Sequence, residues 1–134
     1  MRKPRRLSST VVIGRLVYLY VGSKDVPADV AFYRDHLGAE VVWDRRAMGT
    51  HVAAVRLGDG PLVLLADHRE PGAVLPLWTV DDLDAAVAAL KESGWTGEGT
   101  RVEVPDGPCL LLHDPSGNEV GLLHRVRPGV MEQS

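Results

Sequence analysis

Cysteine is nearly missing from this chain: Cys109 is the single example among 134 residues. No internal disulfide can form and no cysteine-built zinc cage is available, so the chain is expected in the cytoplasm. An uninterrupted hydrophobic run is missing too. The apolar stretch Val11 to Val21 is broken by Arg15 and followed by no small-residue cleavage site, so it reads as a strand and not as a signal peptide. Basic residues are scarce beyond the first six positions, where Arg2, Lys3, Arg5 and Arg6 cluster; the other 11 face 18 acidic residues, leaving a body of about −7. A surface that acidic argues against nucleic acid as a partner. What is present is the balance of an ordinary globular domain, 45% apolar and 25% charged, which excludes disorder and membrane spans. At 14.5 kDa there is room for one core. Residues 1–11 are expected to form a disordered basic tail, 12–126 a single domain, and 127–134 a C-terminal tail.

Periodicity divides the domain into two similar halves. Val12 to Val21 is rich in β-branched and aromatic residues and closes at Gly22-Ser23, which predicts a strand. Val26, Val30, Tyr33 and Leu37 then recur at helical spacing, with Pro27 in the first turn and Gly38 after the last. Strand-like runs follow at Ala39 to Asp44, His51 to Leu57 and Pro61 to Asp67, the last two separated by the hairpin signal Asp59-Gly60. After Pro71-Gly72 the order repeats. Val74 to Val80 is a strand. Leu83, Val87 and Leu90 stripe a helix that Asp81 or Asp82 can cap and Gly94 can end, and strands follow at Trp95 to Val104, Cys109 to His113 and Val120 to Val126. The chain therefore reads as two β-α-β-β-β modules, 12–68 and 73–126. Asp59-Gly60-Pro61 and Asp106-Gly107-Pro108 echo each other but fall at different points of their modules, so the echo carries no weight.

Two stretches carry a resemblance. VGSKDVPADVAFYRDHLGAEVV, Val21 to Val42, resembles the strand, helix and FY-x-x-x-LG signature of the vicinal oxygen chelate superfamily, and DPSGNEVGL, Asp114 to Leu122, is similar to its DP-x-GN hairpin and closing strand. That superfamily includes glyoxalase I, bleomycin-resistance proteins and extradiol dioxygenases. The resemblance implies an α+β fold in which two β-α-β-β-β modules form a curled, mostly antiparallel eight-stranded sheet around a cleft, usually in a homodimer. In the family's enzymes the cleft holds a divalent metal, with His, Gln or Glu ligands on the first and fourth strands of each module. Carried over by position, those ligands fall on Leu16, on Leu64 or Leu65, on Leu75 and on Gly121; Glu119 shares the face of Gly121 but sits one pleat nearer the turn. None of the four expected positions supplies a donor, and a divalent ion needs several converging oxygen or nitrogen atoms.

The expectation is therefore a cleft without a metal cofactor that takes up a small, partly aromatic molecule, as a drug- or metabolite-sequestering protein would. Strand alternation puts Leu16, Tyr18 and Tyr20 in the cleft, with Val17, Leu19 and Val21 under the helix; Leu75, Leu77 and Thr79 face the cleft from the second module. Trp43 stands at the cleft rim, and Trp78 falls on the helix side as core. Arg56 either anchors an anionic ligand or lines an exposed face. With His113 and Gly121 these residues complete the expected ligand-binding set, and no catalytic residue is assigned. The alternative is a metal-dependent lyase, isomerase or dioxygenase whose displaced site uses His51, His68, His113 and Glu119. No two of the five histidines have a local spacing that would put them on one face. Cys109 and His113 share a strand face but lie roughly 13 Å apart along it, too far for a thiolate and imidazole pair. Cys109 reads as a small buried hydrophobe. A third reading, a dimeric interaction or regulatory module, needs no ligand at all.

Overall fold

The computed structural model describes residues 11–127 and 130–132. Ten elements follow one another: β1 (Leu16–Gly22), α1 (Val26–Leu37), β2 (Glu40–Ala47), β3 (Thr50–Arg56), β4 (Leu62–Ala66), β5 (Val74–Val80), α2 (Leu83–Glu92), β6 (Thr100–Val104), β7 (Gly107–His113) and β8 (Glu119–His124). This is the predicted β-α-β-β-β order, twice. Local chemistry sets the helix ends. Asp25 accepts a hydrogen bond from the Ala28 amide and Asp82 one from the Ala85 amide, each supplying an acceptor to an otherwise orphaned first-turn donor. Gly38 ends α1 at φ 72°, a left-handed conformation that glycine adopts without strain.

All eight strands join one sheet in the order β2-β3-β4-β1-β5-β8-β7-β6. Within each module the first strand runs parallel to the fourth, β1 to β4 and β5 to β8, and the other pairs are antiparallel. The modules meet where β1 and β5 pair antiparallel, placing their equivalent strands side by side about a pseudo-twofold axis. The sheet is not closed: β2 and β6 remain as its two edges. It is nevertheless curled, because one apolar cluster draws on both ends, with Val42, Trp43, Val52 and Ala54 from β2 and β3 meeting Val102, Val104, Cys109 and Leu111 from β6 and β7. The convex side carries the helices. Val26, Val30 and Tyr33 of α1 pack on Leu19, Val21, Val63 and Leu65, and Leu83, Ala86, Val87 and Leu90 of α2 pack on Trp78, Leu110 and Leu122. Trp78 is thus core on the helix side, as predicted.

Two departures from the predicted strands have local causes. The first strand begins at Leu16 and not at Val12, and its pairing with β5 shifts between Leu16 and Tyr18. This bulge adds one residue, so alternation slips by one. Val17 joins the concave cluster and not the helix side, while Leu16 sits opposite Trp78 and so on the convex face. The sixth strand starts at Thr100, not Trp95. Gly94, Gly97 and Gly99 interrupt the run; Gly99 has φ 69°, and a Cβ there would come within 2.8 Å of Leu110 Cδ1.

The expected basic tail, apart from Val11 packed beside α2, lies outside the described residues. Of the expected C-terminal tail, Met131 and Glu132 are packed down, while Arg127 and Val130 are exposed. Met131 is 3% exposed and belongs to the concave cluster, its backbone held between the modules by Trp43 and Asp106.

Candidate functional site

The concave side holds a cleft of two lobes that share Tyr20 and Pro105 as a partition. The larger lobe, about 310 Å³, is lined by Leu75 and Leu77 from β5, Val102 and Val104 from β6, Cys109 and Leu111 from β7, and by His68 and Arg69 from the turn after β4. The smaller, about 150 Å³, lies toward β2 and β3 between Trp43, Arg45, Thr50, Val52 and Met131. Two roomier hollows, one over Gly14, Thr79 and His124 and one at the β2–β3 turn, are more open to solvent and lie outside the apolar interior.

Polar groups gather on one side of the larger lobe. Arg69 reaches Glu119 with Nη2 to Oε1 at 2.9 Å, and its guanidinium carbon lies 5.8 Å from the centre of the Tyr20 ring. Its Nε is covered and has no acceptor among the described residues. A buried donor left unmade is disfavoured by about 1–3 kcal/mol, so native proteins seldom leave one without a reason. His68 packs edge-on to Tyr20 at 5.9 Å. Burial raises the Tyr20 phenol above its usual range, and the nearby Arg69 charge partly offsets this. Burial, aided by the Glu119 charge, pushes the Cys109 thiol up to about 12, so at neutral pH it is a protonated apolar wall, in keeping with its reading as a hydrophobe.

A second polar group fixes the cleft floor. Asp106 is fully buried in the turn between β6 and β7. It accepts the Tyr18 hydroxyl at 2.6 Å, Arg125 Nε at 3.1 Å and the Met131 amide at 2.7 Å. Arg125 also binds Glu132, and Trp43 Nε1 donates to the Met131 carbonyl at 2.7 Å. These bonds join β1, β2, the β6–β7 turn and the C-terminal segment.

The structure distributes the expected site residues unevenly. Tyr20, Leu75 and Leu77 line the larger lobe, and Trp43 the smaller, with its indole N–H already engaged by Met131. Leu16 must be corrected, because the bulge turns it to the convex face. Tyr18 faces the concave side but is fully buried with its hydroxyl committed to Asp106, so it supports the cleft from beneath and does not line it. Arg56 ends β3 with Nη1 directed at Gly60 of the following turn and lines neither lobe. His113 is exposed beside Glu119 on the neighbouring strand. Gly121 faces inward, but Leu77 fills its place: a Cβ there would collide with Leu77 Cδ2.

The expected metal positions hold no donors. Leu64, not Leu65, is the β4 residue on the concave side, and with Leu75 and Gly121 it forms a concave set without oxygen or nitrogen side-chain atoms, while Leu16 is turned to the convex face. The displaced alternative does not assemble either. His51 is buried on β3 with Nε2 2.6 Å from Asp44, His68 lies against Tyr20, and Glu119 is engaged by Arg69. Among the described residues, no three His, Cys, Asp or Glu side chains converge as a metal site would require.

Sequence reasoning missed Arg69 and Asp106. Arg69 stands in the polar run Asp67-His68-Arg69-Glu70, where no periodicity indicates a direction. Asp106 precedes Gly107 and so looks like any turn aspartate.

The model of the Glyoxalase/Bleomycin resistance protein/Dioxygenase superfamily matches residues 15–122, and the chain belongs to that superfamily. Among solved structures, methylmalonyl-CoA epimerase from Mycobacterium tuberculosis is similar with TM-score 0.71 and 20% identity, covering 92% of this chain and 95% of its own. A Streptomyces coelicolor methylmalonyl-CoA epimerase in complex with 2-nitronate-propionyl-CoA has TM-score 0.64 and 21% identity, covering 86% and 99%. A superfamily member from Vibrio splendidus has TM-score 0.60 and 19% identity, covering 83% and 97%. At these identities the likeness establishes the fold. A search of curated proteins by sequence matches none.

Proposed function

We propose that this chain is a binding member of the superfamily that works without a divalent metal, taking a small, partly aromatic molecule into the larger lobe and sequestering it. The observation that carries this reading is the chemistry of Leu64, Leu75 and Gly121, the family's metal positions that face the concave side, none of which has a donor side chain. Tyr20 and the leucine and valine walls favour a flat apolar body, and Arg69 supplies polarity at one side, the mixture found in small-molecule pockets. A cavity of about 310 Å³ is at the lower end of that class. The working protein is taken to be a cytoplasmic homodimer, a reading supported by the lone thiol and by the superfamily's habit of pairing. Among the described residues, no helix is long and apolar enough to cross a membrane.

Elemental analysis of protein purified without chelators tests the metal reading: less than stoichiometric zinc, iron, nickel, manganese or cobalt is expected. Stoichiometric metal lost on Glu119→Ala would establish the metal-dependent alternative instead. The binding reading is checked with a panel of aromatic metabolites. A true ligand raises the melting temperature of the wild type as RT ln(1 + [L]/Kd) requires, and Tyr20→Ala reduces that shift.

A further inference from the structure

We propose that the larger lobe recognises the carboxylate of a planar, largely apolar monoacid, and that Arg69 is the residue that receives it. This deepens the binding function proposed above and rests on it. A guanidinium presents five N–H donors in a planar fork that matches a carboxylate two bonds at a time. Arg69 makes one such bond, from Nη2 to a single oxygen of Glu119, and Nε has no acceptor among the described residues. The fork is thus held in position without being filled. The side chain is 23% exposed, and Arg69 is among the residues that line the lobe.

Its surroundings favour one negative charge on an apolar body. Among the described residues lining the lobe, Arg69 is the one arginine or lysine. The carboxylate of Glu103, also on the lining, is turned to Arg127 at 3.0 Å. Glu119 begins β8 and is 28% exposed, so it can turn toward solvent and yield its place to an incoming carboxylate. A doubly charged group would face Glu119 and Glu103 with a single cation to balance it, whereas a monoacid exchanges one carboxylate for another. Apolar walls strengthen the pair by keeping water away from it. The Tyr20 ring, under the guanidinium, gives the body of the same ligand a flat surface.

The experiment uses the full chain and isosteric pairs that differ in charge alone: 2-naphthoate against 2-naphthamide, and indole-3-acetate against indole-3-acetamide, titrated calorimetrically at low salt. In the wild type the acid of a pair is expected to bind about tenfold more tightly than its amide, the discrimination one charge-assisted contact supplies. Arg69→Gln brings the ratio near one by weakening the acid and leaving the amide unchanged. Glu119→Gln, which removes the competing carboxylate, tightens the acid. Should Arg69→Gln fail to fold, Glu119→Gln decides alone, and acid binding unchanged or weakened there overturns the proposal. Equal binding of acid and amide in the wild type, or a preference that survives Arg69→Gln, overturns the assignment to Arg69 while leaving the cleft a binding site. If neither member of either pair binds, the binding function falls and this assignment with it.

Discussion

Tyr18 and Tyr20 are two residues apart on the same face of β1, yet their chemistry differs completely. The Tyr18 hydroxyl is closed into a buried bond with Asp106, and burial together with that carboxylate drives its phenol far above the usual range. Tyr20 keeps its ring on the cavity. A hydrogen bond to a buried charged group contributes about 1.5–3 kcal/mol. Tyr18→Phe should therefore lower the unfolding free energy by about that amount in urea titrations and leave ligand affinity unchanged. Tyr20→Ala should show the reverse emphasis, with lost affinity as its main effect. Strand alternation correctly put both residues on the concave side, but it carries no information on whether a side chain meets ligand or carboxylate. That depended on Asp106, 88 positions from Tyr18 along the chain.

The C-terminal segment is the element whose role the sequence concealed. Met131 enters the concave cluster, and Glu132 binds Arg125 beneath Asp106 and Arg15 at 3.5 Å. Met131→Ala should destabilise the fold by about 2–5 kcal/mol, as truncations of buried methionine do, and should enlarge the smaller lobe; chemical unfolding and a ligand-size series check both. Burial acts to raise the Glu132 carboxyl, but Arg125 and Arg15 outweigh it and hold the group below its ordinary value of 4.5. A depressed carboxylate stabilises the fold above its unfolded value and loses that contribution as pH falls through the folded one. Wild-type stability should therefore decline as pH drops below about 5, and Glu132→Gln should flatten that part of the profile in melts taken from about pH 6 to about pH 3. The β1 bulge is the other element that pattern reading could not find. Strict alternation assumes unbroken pairing, and the extra residue between Leu16 and Tyr18 is visible only against the partner strand β5.

For the molecule as a whole, the decisive feature is the antiparallel seam of β1 and β5, on which both halves of the concave cluster depend. Neither half alone buries enough surface to be stable, so a fragment ending at residue 72 should lack the single cooperative urea transition expected of the full chain, as followed by circular dichroism. The two-module order, both helices, the Gly38 stop of α1 and the Asp82 cap of α2 were legible in the sequence. They are encoded locally, in hydrophobic period, capping residues and residue type. The partition of the cleft by Tyr20 and Pro105, the closure of its floor by Met131, the burial of Asp106 and the placing of Arg69 over Tyr20 were decided by tertiary structure. Each joins segments distant in the chain through loops and chain ends, where no periodicity reports which way a side chain turns, so only the packed fold could assign them.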